Sequence, residues 1–163
     1  MRTVQVESIT LPKGHKLDAE IIRHPGSVVI VPVTATGDII LARQYRHPIG
    51  RYTWELPAGS LKVGEDPRKA AARECQEEIG QVPGRLALLG SFFPTPGYCD
   101  EEMHFFLAAE LRDPGEGEIA APDEDEDIQP RPFSVKSIHA MIARAEIVDL
   151  KTVAGVSLSL GSR

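Results

Sequence analysis

Three glutamates, Glu74, Glu77 and Glu78, carry the spacing most suited to chemistry. On a helix, residues spaced i, i+3 and i+4 lie on one face. Like charges at that spacing are mildly destabilising unless water solvates them or a cation binds them. Hard divalent ions such as Mg²⁺ prefer carboxylate oxygens. The face is therefore either a solvated acidic surface or a metal site, and spacing alone leaves both open. Arg68, Ala72, Cys75 and Ile79 project broadly the other way, toward a core.

The elements that must position these acids are marked in the sequence. Asp66 can N-cap a helix by accepting from the unpaired amides of its first turn. Pro67 suits the first helical position, where its missing N–H is not needed. Gly80 suits a left-handed exit. Together they predict a helix of roughly three and a half turns, fed by a glycine-rich loop from Gly59 to Gly64.

The rest of the chain reads as strands and late helices. Residues 3–11 and 17–23 alternate enough to predict short strands, separated by a turn at Pro12-Lys13-Gly14. Val28 to Val33 is a β-branched run, apolar on both faces as in a central strand, with Pro32 marking a bulge or irregular pairing. A turn at Ala35 to Asp38 predicts a hairpin with Ile39 to Ala42. Arg43 and Tyr45 then point one way, and Gln44 and Arg46 the other. Leu86–Phe93 and Met103–Ala109 predict two further strands, and Ile128–Phe133 an edge strand. Helices are expected at Val135–Ala145, capped by Ser134, and at Leu150–Leu160, weakened by Gly155.

Composition narrows the function. With 163 residues, 42% hydrophobic and 26% charged, the chain suits one domain spanning 1–163. A net charge of −6 disfavours nucleic acid, whose backbone attracts basic surfaces. Small anionic substrates remain compatible where metal ions and a few arginines supply positive charge. No stretch approaches the roughly 20 apolar residues of a membrane span. The first residues lack the apolar segment of a signal peptide. Cys75 and Cys99 form no paired pattern, so the expected setting is a reducing cytoplasm.

Gly59, Glu65, Arg73-Glu74, the apolar Cys75, Glu77-Glu78 and Gly80 resemble the Nudix hydrolase signature, with Gln81 standing in its terminal apolar slot. That resemblance favours the metal reading of the acidic face. Arg43-Gln44-Tyr45-Arg46, Glu55 to Gly59, Pro94-Thr95-Pro96-Gly97 and a late acidic run, Asp123 to Asp127, follow in the order of the ADP-ribose pyrophosphatase branch. Pro96 is the feature associated with that branch.

The resemblance implies an α/β fold, a Nudix-type α/β/α sandwich around a mixed β-sheet. Residues 1–24 would form a small N-terminal β segment contributing to a homodimer. It implies metal ligation by Glu74, Glu77, Glu78 and the Ala58 carbonyl, with Mg²⁺ as cofactor and Mn²⁺ as a possible substitute. Arg73 and Glu65 would be structural. Arg43, Arg46, Glu55, Pro96, Gly97 and Glu101 would line the substrate site. Glu126 in the acidic run, with Glu124 as the alternative, would take a proton from water, and Glu77 is grouped with it as catalytic. The implied reaction is Mg²⁺-dependent cleavage of ADP-ribose to AMP and ribose 5-phosphate. Alternatives are GDP-mannose, ADP-glucose or FAD- and NADH-like substrates, or a catalytically silent nucleotide-binding module. The usual mark of the silent module, erosion of the Glu74-Glu77-Glu78 set, is absent from the sequence.

Overall fold

The computed structural model describes residues 3–115 and 128–161. In chain order, β1 (Thr3–Thr10) and β2 (Lys16–Arg23) form a hairpin ahead of β3 (Ser27–Pro32) and β4 (Ile39–Arg46). A 3-10 turn at His47–Ile49 leads to β5 (Arg51–Glu55), β6 (Ala58–Ser60) and α1 (Pro67–Ile79). Then follow β7 (Val82–Phe92), β8 (Met103–Arg112), β9 (Gln129–Phe133), α2 (Val135–Ala143) and α3 (Leu150–Leu160).

One strand organises the layers. β3 lies centrally in a mixed sheet of order β6-β3-β8-β7, parallel to β8 and antiparallel to β6. Its residues are buried on both faces, which is why the run is apolar without alternation. Val28 and Ile30 face α1, packing with Ala70, Ala71, Cys75, Phe106 and Ala108. Val29 and Val31 face the opposite layer, with Ile138 and Met141 of α2 and Val156 of α3. Successive side chains of β8 divide the same way. The result is the expected α/β/α sandwich.

The expected hairpin between the β3 and β4 segments does not form. β4 belongs to a second sheet of order β5-β4-β9, joined to the β3 segment by a single bridge, Val33 to Ile39. Pro32 has no N–H to continue a ladder, and the two strands part there. β9 is the edge strand expected of a segment holding Pro130 and Pro132.

The N-terminal hairpin is a two-stranded sheet of its own. It meets the body where Ile22 N–H donates to the Tyr98 carbonyl at 2.8 Å. Arg23 adds a 2.9 Å ion pair with Asp100. No helix among the described residues is long and apolar enough to cross a membrane.

Candidate active site

α1 begins and ends where its punctuation placed it. The Asp66 carboxylate accepts from Arg68 N–H at 2.7 Å, Pro67 opens the helix, and Gly80 exits at φ +69°. The core face is Ala70, Ala71, Cys75 and Ile79, whereas Arg68 lies exposed and Ala72 half-buried. Arg68 instead donates to the Leu86 carbonyl at 2.6 Å.

The acidic face is not a solvated surface. Glu74 is only 8% exposed and its carboxylate lies against Gly59. A Cβ on Gly59 would stand 2.0 Å from both Cδ and Oε1 of Glu74. Glu78 Oε1 accepts from the Ala58 N–H at 3.1 Å. The loop ahead of α1 and the acids on α1 thus form one unit.

Arg73 braces that unit. Its Nε and Nη2 each donate to Glu65 at 3.0 Å, and Nη1 donates to Glu74 at 2.6 Å and to Glu77 at 2.7 Å. The Glu65 bond is the main reason the guanidinium is held protonated above its ordinary range, and Arg73 in turn holds the Glu65 carboxyl below its own. Among the described residues, no group of three His, Cys, Asp or Glu side chains stands ready as a cation cage. With Arg73 drawing in Glu74 and Glu77, the acids are arranged around that cation. Their donor chemistry still fits a hard divalent ion, since three carboxylates and a neighbouring backbone carbonyl offer only oxygen.

Beside the Gly59 loop lies a cleft of about 470 Å³. Arg46, Glu55, Ala58 and Glu101 line it, together with Asp149 and Lys151 from the start of α3. Arg46 forks onto Glu55, Nε to Oε1 at 2.9 Å and Nη2 to Oε2 at 2.7 Å. Lys151 Nζ donates to the same Oε2. Burial pushes the Glu55 carboxyl up, but the Arg46 hydrogen bonds and the Lys151 charge outweigh it and leave the group below its usual range. Glu101 accepts from Ser27 Oγ at 2.8 Å.

Other expected substrate residues lie elsewhere. Strand alternation puts Arg43 on the sheet face opposite Arg46, its guanidinium 4.0 Å over the Tyr52 ring. Pro96 and Gly97 line a separate groove of about 510 Å³ against β2. Glu126 and Glu124 fall outside the described residues. Lys151 and Asp149 are additions that sequence reading missed. One signal was available: a lysine in the first turn of a helix opposes the macrodipole and needs a carboxylate partner.

Comparison with known proteins agrees with this architecture. The NUDIX domain model matches residues 23–154. An ADP-ribose pyrophosphatase of Bacillus subtilis is 37% identical over 147 residues, covering 90% of this chain and 78% of that protein. A methanol dehydrogenase activator of Bacillus methanolicus is 37% identical over 153 residues, covering 94% and 82%. A crystal structure of an ADP compounds hydrolase superposes with a TM-score of 0.81 at 22% identity, over 98% of this chain and 92% of that one. The domain match, the two relatives and the shared architecture lead to one conclusion: the chain belongs to the Nudix family.

Proposed function

We propose that the chain is a pyrophosphohydrolase, cleaving the diphosphate of ADP-ribose to AMP and ribose 5-phosphate with Mg²⁺. The observation that carries this is the placement of the Glu74 carboxylate under Gly59, at the edge of a cleft that also presents Arg46. Glu74, Glu77, Glu78 and the Ala58 carbonyl would hold the metal, which when bound neutralises phosphate charge and lowers the pKa of water. Arg46 supplies a planar donor for a phosphate oxygen. Glu55 and Glu101 shape the cleft, while Arg43, Pro96 and Gly97 act from outside it, at the sheet's far face and the hairpin groove. Water adds across the P–O–P link, and its proton passes to a carboxylate, assigned to Glu126 with Glu124 as the alternative.

The unit is one domain acting as a homodimer through the N-terminal hairpin, in a reducing cytoplasm. The free Cys75 and Cys99 are consistent with that setting. The names of the Bacillus relatives support a nucleotide-derived substrate for the first and leave the dehydrogenase-activating role as a second reading.

The test is a panel of ADP-ribose, ADP-glucose, GDP-mannose, dinucleotides and nucleoside triphosphates, scored by kcat/KM with Mg²⁺ or Mn²⁺. ADP-ribose is expected to lead, with activity abolished by EDTA. A flat panel without metal-dependent turnover leaves the silent module. Glu126→Gln is expected to lower kcat by roughly 10²–10⁴-fold with metal binding kept. The same loss from Glu124→Gln alone reassigns the base.

A further inference from the structure

Lys151 sits where a lysine is unfavourable. It occupies the second position of α3, where the helix dipole repels a cation, and its side chain is only 10% exposed. Its charge is met by Glu55 and by Asp149, the latter at 3.0 Å. Docking of α3 does not explain it, because Thr152 already performs that task. Thr152 Oγ1 accepts from the Leu56 N–H at 2.8 Å and donates to Asp149 Oδ2 at 2.6 Å. A neutral side chain beside that anchor would avoid burying a charge against the dipole, but would leave the buried Glu55 carboxylate with Arg46 as its single cationic partner.

What Lys151 does reach is the back of the Arg46 fork. Glu55 Oε2 receives Arg46 Nη2 and Lys151 Nζ together, while Oε1 receives Arg46 Nε. One carboxylate is thereby shared by two cations. Without Lys151, the Arg46 fork would be the sole cationic partner of Glu55, and the carboxylate would neutralise Arg46 more fully. With Lys151 in place the fork is fixed at both ends, and part of the Glu55 charge is drawn away from Arg46. The Arg46 side chain, 41% exposed in the cleft, keeps attraction for an anion.

The geometry points to Lys151 as a positioning residue that orients Arg46 through Glu55 and raises affinity for the substrate's diphosphate. This rests on the proposed diphosphate hydrolysis. The substrate does not touch Lys151 in this scheme; the lysine acts on the arginine.

The experiment is steady-state kinetics on the full chain with ADP-ribose and Mg²⁺, comparing wild type with Lys151→Met, Lys151→Arg, Arg46→Met and the Arg46→Met/Lys151→Met pair. Lys151→Met is expected to raise KM roughly tenfold with kcat changed less than about twofold, the pattern of lost uniform binding. Lys151→Arg is expected to restore most of the affinity. In the Arg46→Met background the second change is expected to add under about twofold, because two residues acting through one contact are not additive. An unchanged KM, a fall in kcat alone, or full additivity in the pair overturns the inference. Should Lys151→Met not fold, Lys151→Gln replaces it, and failure of both to fold assigns the lysine to stability and overturns the inference. Calorimetric titration of ADP-ribose into EDTA-treated protein gives a readout without turnover, with the same loss of roughly tenfold expected for Lys151→Met. Wild type that binds ADP-ribose but never cleaves it defeats the proposed reaction, whereas the variant-to-wild-type ratio judges Lys151 alone.

Discussion

Gly59 and Glu74 occupy one another's space: the position a methyl group would take on Gly59 is filled by the Glu74 carboxylate. The glycine is required here for close approach rather than for backbone freedom, since no positive φ is involved. Gly59→Ala must therefore displace Glu74, or push the loop off α1. The expected result is a loss of roughly 10²-fold in kcat/KM, the scale of a misplacement of about 1 Å at a reacting site. Mg²⁺ affinity is expected to fall with it. Kinetics across a Mg²⁺ titration, beside a thermal melt, check this, and unchanged activity would show that Glu74 has room to spare.

A second glycine carries the same lesson for the core. Gly155 weakens α3 by propensity, and Ala at an exposed helical site would gain about 1 kcal/mol. Here a Cβ would meet Leu56 Cδ1 at 2.4 Å, Val31 at 3.3 Å and Phe105 at 3.4 Å. Leu56 is itself fully buried and cannot swing clear. Overpacking of this kind costs about 1–3 kcal/mol, so Gly155→Ala is expected to destabilise on balance. Urea denaturation should show a lower midpoint, and Leu56→Val in the same chain should recover part of it.

Local signals made much of this legible before any fold was known. Asp66, Pro67 and Gly80 act within a few residues of themselves, so the limits of α1 follow from short-range chemistry. The apolar run of β3 announced burial on both faces. The partition of β3 and β4 into separate sheets did not follow, because the turn closed by Thr34 and Asp38 serves a hairpin or a divergence equally well. Alternation placed Arg43 and Arg46 on opposite faces, yet nothing local says which face borders the cleft. Lys151 and Glu55 are 96 residues apart, and only the docking of α3 brings them together.

The two thiols are expected to differ sharply in reactivity. Cys75 is buried on the core face of α1, and burial, aided by the nearby Glu78 charge, pushes its thiol up to about 12. The thiolate is the nucleophile, so at pH 8 Cys75 presents almost none of it. Cys99 is half-buried near the protein surface. Iodoacetamide at pH 8 should label Cys99 alone in the folded chain and both residues in guanidinium, as read by intact mass. Rapid labelling of Cys75 in the native protein would contradict the packing of α1 on β3.

Glu55 supplies the pH dependence. Its folded-state carboxyl lies below the usual range because Arg46 and Lys151 outweigh the effect of burial. A carboxyl depressed on folding contributes stability that is complete above its unfolded value, about 4.3 for a glutamate. That contribution is lost as pH falls through the folded value. Lys151→Met removes one of the two cations, so burial regains weight and the folded carboxyl moves up. The variant is then expected to lose about 1–3 kcal/mol at pH 7, where a buried carboxylate is left short of a partner. The deficit should shrink as pH falls through the folded carboxyl, first in the variant and then in the wild type, because protonation of Glu55 removes the charge that Lys151 meets. Melting curves of wild type and variant between pH 3 and pH 7 should converge on the acid side. Parallel curves across that range would mean that Lys151 stabilises the fold by packing its stem and not by its charge on Glu55.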